Sequence, residues 1–157
     1  MSVADRMKAL QIELPPAPKP LGTYVPAVRV GPLLYLSGTL PLEAGVPKFR
    51  GRIGAGLGID DARVAARLAT LNALAIAREY LGSLDFITRI VRLTVSLAST
   101  ADFVAHAQVA DAASELLANL FGPDKASTRM VYGVSSLPAG ASVVVELILA
   151  VTEGGAP

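Results

Sequence analysis

A short list of side chains in this sequence could do chemistry: Arg129, Tyr24, Ser37, Tyr132, His106 and the carboxylates Glu115 and Glu146, with Gly38 beside Ser37. Arg129 follows Ala-Ser-Thr and opens the apolar run Arg129-Met-Val-Tyr-Gly-Val. A planar, permanently charged guanidinium at a strand entrance can hold a carboxylate through two parallel hydrogen bonds, or it can pair with an acid on the surface. Ser37-Gly38 closes a strand, where a glycine either lets a ligand approach the main chain or simply makes a turn. Tyr24, ahead of Val25-Pro26, is placed to cover a ligand or to pack an N-terminal arm on a sheet. His106, the only histidine, follows Asp102 by one turn of a helical run and is read as a base or as a structural histidine. No Gly-x-Ser-x-Gly elbow accompanies it, so a serine triad is not expected.

Composition removes other chemistries. The 157 residues include no Cys and no Trp, which excludes thiolate catalysis, disulfides and zinc–thiolate sites, and a single His excludes a poly-His metal centre. Fourteen Lys+Arg against 13 Asp+Glu give a net charge of +1, without the basic footprint that drives nucleic-acid binding. Gly54-Ala-Gly56-Leu-Gly58 resembles a nucleotide loop, but Ile59 stands where a dinucleotide fingerprint needs glycine, and no Gly-Lys-Ser/Thr follows. It reads instead as a loop entering a helix capped by Asp60 or Asp61.

With 52% apolar and 17% charged residues and a mean hydropathy of +0.51, a membrane span has to be considered. The richest stretches are interrupted by charge: Asp61–Leu81 carries Arg63, Arg67, Arg78 and Glu79, and Val143–Val151 carries Glu146. The composition therefore suits a soluble subunit that hides apolar surface against copies of itself. The first twenty residues hold Asp5 and Glu13 and no continuous apolar stretch, so no secretory signal is read and a cytoplasmic protein is expected.

These residues need elements to position them. Residues 1–22 read as an arm, with a short helix over Met1–Leu10 followed by the extended Leu14-Pro-Pro-Ala-Pro-Lys-Pro20. Gly31-Pro32 separates β-rich Ala27–Val30 from Leu33–Ser37 and predicts a hairpin. One short strand is expected within Val46–Gly58. Apolar residues at helical spacing (Val64, Leu68, Leu71, Leu74, Ala75) predict a helix over Asp61–Leu81, with Gly82 as its terminator. Ile87–Leu97 is β-branched and predicts a strand, Ala101–Phe121 a second helix ending at Gly122-Pro123, and Thr128–Ser135 and Ser142–Val151 two final strands. The order β-β-(β)-α-β-α-β-β predicts an α+β fold, close to a ferredoxin-like split βαβ, with helices on one face of the sheet and the open face available for self-association.

Taken in order, Tyr24-Val-Pro-Ala-Val-Arg-Val-Gly31, Leu34-Tyr-Leu-Ser-Gly-Thr-Leu-Pro41, Asn72-Ala-Leu, Ile90-Val-Arg-Leu-Thr-Val, and Arg129 with Leu137-Pro138 eight residues later and Glu146 beyond resemble the Rid (YjgF) family. These are the reactive-intermediate deaminases, also labelled endoribonuclease L-PSP. The resemblance covers residues 23–152, between the arm and a tail at 153–157. It implies a homotrimer of chorismate-mutase-like subunits, with sheets inward, helices outward and a cleft at each interface. The implied enzyme is a hydrolase acting on C=N bonds: an imine/enamine deaminase that converts 2-imino and 2-enamino acids to 2-keto acids and ammonia with no metal or organic cofactor. The implied partners are a second and third copy of the chain and a small carboxylate-bearing metabolite, with no nucleic acid and no membrane.

Carried over by position, the resemblance makes Arg129 the carboxylate grip, Tyr24 a cleft-lining residue, and Ser37 and Gly38 the pair whose glycine lies beside the ligand. Val131 takes a place usually held by Cys, whose main chain is what the family uses. Two positions depart from the pattern. The acid that positions water falls at Val144, while Glu146 matches a second acid about 7 Å further along the same side of the strand. Ala107 stands where Asn is common, with His106 beside it as a candidate replacement. Arg129 and His106 are thus the catalytic candidates. Two other readings stand beside the deaminase: a non-catalytic or differently catalytic trimer that binds small carboxylates, motivated by Val144, and a ribonuclease, suggested only by the older family label and opposed by the near-neutral charge.

Overall fold

The computed structural model describes residues 1–154; the rest of the expected tail, residues 155–157, lies outside the described residues. Helix α1 (Val3–Ala9) forms because Ser2 and Asp5 cap it reciprocally: Ser2 Oγ accepts from the Asp5 N–H at 3.0 Å, and the Asp5 carboxylate accepts from the Ser2 N–H at 3.1 Å. The helix is anchored to the rest of the chain. The Val3 N–H donates to Asp85 at 2.7 Å, Arg6 donates to the Leu120 carbonyl at 3.1 Å, and Met7, Ile12, Leu14 and Ala17 pack on the core. Residues 1–22 are thus seated on the domain.

Strands β1 (Ala27–Val30) and β2 (Leu33–Leu36) form the expected hairpin, with Gly31 at φ 57° in the turn. Helix α2 (Ile59–Leu81) follows, then β3 (Ile87–Ala98), α3 (His106–Phe121), β4 (Thr128–Val134) and β5 (Val143–Val151). The five strands lie in the order β1-β2-β5-β3-β4; only β3 and β4 are parallel, joined by α3 as a crossover. The single short strand expected within Val46–Gly58 is instead a set of two-residue pieces off the main sheet: Val46–Pro47 pairs with Leu42–Glu43, and Arg52–Ile53 pairs with Gly56–Leu57.

Two helix starts differ from expectation. Gly58, not Asp60 or Asp61, is the capping residue of α2, and the two acids lie in its first turn, where the positive end of the helix dipole favours them. Its other end agrees, with Gly82 in the left-handed conformation at φ 84°. Helix α3 begins at His106 rather than Ala101, because a turn closed by the Phe103 N–H and the Thr100 carbonyl at 3.2 Å occupies the intervening residues.

The helix-covered face of the sheet is aliphatic. Leu34, Leu36, Leu93, Val95, Leu97, Val143, Val145, Leu147 and Leu149 are buried there against the alanines of α2 (62, 65, 66, 69, 73, 77) and Val109, Ala113, Leu116 and Leu120 of α3. Strand β3 reaches this face only by irregularity. Its register against β5 shifts twice, between Ile87 and Arg89 and again between Ile90 and Arg92, so that Ile87, Ile90 and Leu93 all meet buried residues of β5: Val151, Leu149 and Leu147. The opposite face carries no helix. It presents Val28, Tyr35, Ile148, Thr94, Ser96, Glu146, Met130 and Tyr132, with Tyr35 42% and Met130 48% exposed. Among the described residues no helix is long and apolar enough to cross a membrane.

Candidate functional site

The sheet separates the candidate residues into two groups, one at the end of the β1-β2 hairpin and one on the opposite edge strand, β4. At the β2 end, the Ser37 N–H donates to the Pro26 carbonyl at 2.9 Å and its hydroxyl to the Val25 carbonyl at 2.7 Å, while Thr39 exchanges backbone bonds with Val145 at 2.8 and 3.0 Å. The chain is thereby pinned on both sides of Gly38, whose own N–H and carbonyl take no hydrogen bond from the described residues. Tyr24 stands over this stretch, 46% exposed, its hydroxyl accepting from the Leu21 N–H at 3.1 Å. Tyr24, Ser37 and Gly38 line one hollow with Lys19, Leu21 and Pro26.

Val144 lies against this group. A Cβ on Gly38 would come within 2.9 Å of Val144 Cγ1, and Val144 packs with Leu137, Leu40, Leu42 and Ala141 in a small apolar cluster. The place that the resemblance gives to a water-positioning carboxylate is thus occupied by packed methyl groups. Asn72 of α2 explains one motif: its buried Nδ2 donates to the Leu40 and Leu42 carbonyls at 3.0 and 2.9 Å and fixes the chain that leaves Gly38. Glu146, two residues on, faces the open side opposite Thr94, and Tyr132, Ser96 and Val144 form one row across it.

At the far edge, Arg129 of β4 is opposite Leu93 and reaches α3. Its Nη1 donates to Asp111 Oδ1 at 2.7 Å and to Ser114 Oγ at 3.1 Å, with the side chain 26% exposed. Nε and Nη2 have no partner among the described residues. The arginine is therefore both paired with an acid and left with one fork edge able to take a carboxylate. Val131, half-buried, follows at the same edge, opposite Val95. Between β2 and β4 lie β5 and β3, about 14 Å of sheet at the usual strand spacing. One small substrate cannot touch Gly38 and Arg129 of the same chain.

His106 belongs to neither group. As the first residue of α3 it sits edge-on to Phe103, ring centroids 5.0 Å apart, beside Gly133 at the other end of β4 from Arg129. Four strand residues, about 13 Å, separate Arg129 from Gly133. The structure does not bring the two catalytic candidates together. His106 instead lines a cleft with Arg52, Ser99, Thr100, Phe103 and Ser135. Thr100 donates a side-chain hydrogen bond to Asp102 that holds that carboxyl below its ordinary range. Glu115 is engaged elsewhere, pairing with Arg63 of α2 at 2.9 Å, while Arg63 also bonds the Gln108 carbonyl. Arg52 escaped the reading of the sequence because its two-residue strand has no periodicity to mark it.

Order, register and helix placement define an α+β fold of the chorismate-mutase-like kind. The family profile described as "YjgF/chorismate mutase-like, putative endoribonuclease" matches residues 4–151, and the chain belongs to this YjgF (Rid) family. It is 34% identical to protein TCP17 of Trypanosoma cruzi over 94% of this chain and 92% of that one. A crystal structure titled as a putative endoribonuclease from Shewanella oneidensis superposes with a TM-score of 0.92 at 32% identity, covering 96% of this chain and 100% of that one. RidA from an Antarctic Psychrobacter matches at TM-score 0.61 and 30% identity, covering 86% and 94%. The family profile begins at residue 4, ahead of residue 23 where the motifs begin.

Proposed function

We propose that the protein is a homotrimeric, cytoplasmic hydrolase of 2-imino and 2-enamino acids. The observation that carries this reading is the division of the site. Gly38 with Tyr24 lies at the end of the β1-β2 hairpin and Arg129 on the opposite edge strand, so two copies of the chain must meet for the two groups to face one substrate. The open sheet face, with half-exposed Tyr35, Met130 and Tyr132, supplies apolar surface for that assembly.

In the assembled cleft the Nε–Nη2 edge of Arg129 takes the substrate carboxylate, while Asp111 and Ser114 hold the guanidinium from behind through Nη1. The Gly38 N–H faces the reacting centre, and Tyr24 covers it. Water adds to the C=N carbon, the nitrogen gains protons, and the C–N bond of the tetrahedral adduct breaks, giving a 2-keto acid and ammonia without redox change. An imine is already electrophilic, so orientation and charge stabilisation supply most of what is needed. An iminoacid generated in situ by an amino-acid oxidase should lose its C=N absorbance faster with the purified protein. Intact trimers that give no acceleration at high concentration reject the activity.

Val144 favours a second reading. With methyl groups rather than a carboxylate beside Gly38, the same clefts would bind 2-keto acids without turnover. Thermal stabilisation by 2-ketobutyrate, lost in Arg129→Ala and unaccompanied by deaminase activity, is the result that reading expects. The near-neutral charge opposes a ribonuclease, and RNA binding that persisted above physiological salt would overturn that judgement.

A further inference from the structure

The cleft at the start of α3 is lined by residues of one chain, several of them donors. It encloses about 330 Å³ between Arg52, Ser99, Thr100, Phe103, His106 and Ser135, with no carboxylate among its lining residues. Arg52 is built in: its Nη2 donates to the Ser99 carbonyl at 2.8 Å, the Thr100 N–H donates to the Ile53 carbonyl at 3.0 Å, and Ile53 pairs with Ser99. One guanidinium nitrogen thus secures the loop, and the remaining donors are left to the cleft.

Ser99 adds an uncommitted hydroxyl to the same wall. The residue is only 7% exposed, its hydroxyl has no hydrogen-bond partner among the described residues, and it lines the cleft, the side from which its hydroxyl is reached. A hydroxyl turned into a cleft with no partner in the chain keeps its donor and acceptor capacity for whatever enters. Helix α3, sixteen residues long, opens beside it with no side-chain cap and no acid in its first turn, so its leading N–H groups and the positive end of its dipole are also unanswered. Gly133 keeps the approach clear, since a Cβ there would lie 2.5 Å from Ser99 Oγ and 3.0 Å from His106 Nε2. The nearest acid in sequence, Asp102, is hydrogen-bonded to Thr100.

We propose that this cleft binds the oxyanion group of a small metabolite, a carboxylate or a phosphate. Arg52 supplies the charge, Ser99 Oγ and the first N–H groups of α3 donate hydrogen bonds, and Ser135 and His106 close the polar wall. The site is separate from the Arg129 edge and stands whether or not the deaminase reading does.

Titration calorimetry at low ionic strength, with inorganic phosphate in one arm and acetate in the other, tests it on the full chain. Saturable binding of at least one probe at one per chain is expected, and the tighter arm names the group. Arg52→Gln and the blocking variant Gly133→Ala should weaken it at least tenfold, Arg52→Lys should restore part of it, and Ser99→Ala, which removes only the unpartnered hydroxyl, should weaken it roughly threefold to tenfold. Arg129→Ala should leave it unchanged. No saturable binding of either probe, or binding lost in Arg129→Ala and kept in Arg52→Gln with both variants folded by circular dichroism, overturns the proposal. Phosphate or acetate binding in a protein that hydrolyses no imine would leave this site standing and remove only the enzymatic reading.

Discussion

The two faces of the sheet are made by alternate residues of the same strands, yet they are different materials. Along β5, Val143, Val145, Leu147, Leu149 and Val151 are buried beneath the helices, while Val144, Glu146, Ile148 and Ala150 between them stay partly or fully accessible. One side is purely aliphatic and closed by the chain's own helices. The other mixes aliphatic, aromatic, hydroxyl and charged groups, the composition of a surface that must survive in water before another surface covers it. Folding and assembly are thus written on opposite sides of one strand, a single residue apart.

That contrast can be broken with neighbouring substitutions. Leu147→Asp should abolish folding, because an unpaired charge beneath the helices costs several kcal/mol, comparable to the stability of a whole domain. Ile148→Asp should leave the circular dichroism of the fold intact and yield monomers in sedimentation, with any imine hydrolysis lost. If the second variant unfolds as the first does, the open face is core rather than interface. Arg129→Ala comes next: losing a charge-assisted pair of hydrogen bonds worth about 3 kcal/mol should lower kcat/KM for an iminoacid on the order of a hundredfold, with assembly unchanged.

Asp111→Asn should cost less than about 1 kcal/mol in urea unfolding, since the pair it breaks with Arg129 is half in solvent, so any larger effect on KM would report on how Arg129 is held. The smallest effect concerns α1. Hydrogen bonds from Ser2 hold the exposed Asp5 carboxyl below its ordinary value of 3.8. A lowered folded pKa stabilises the helix above that ordinary value and is lost as pH falls through the folded one. Protection factors of the α1 amides, taken against the intrinsic exchange rate at each pH, should fall only in that acid range, and Asp5→Asn should remove the fall.

Much of this arrangement was legible beforehand where local chemistry is decisive. Gly31-Pro32 marked the hairpin, and the spacing of Val64, Leu68, Leu71 and Leu74 with Gly82 marked α2, because turn residues and helical periodicity act within a few residues. The start of α3 was not legible, since Phe103 fits helical spacing while its backbone closes a turn on Thr100. Motif order singled out Tyr24, Ser37, Gly38 and Arg129, and the first three line one hollow at the hairpin. The Asp111–Arg129 pair spans 18 residues and exists only once α3 folds back on β4, and Arg52 reaches Ser99 across 47. No local pattern encodes such contacts.

The two register shifts of β3 have a consequence for chain length. With Thr88 and Val91 set aside, Ile87, Arg89, Ile90, Arg92 and Leu93 alternate inside and outside like any half-buried strand, and those two residues are the surplus that the shifts absorb. In an ordinary strand the loss of one residue exchanges the inside and outside of everything beyond it. Here Thr88 or Val91 could be deleted and every neighbour would keep its side. The strand carries slack, and losing one of these two residues would disturb neither what the helices cover nor what the open face displays.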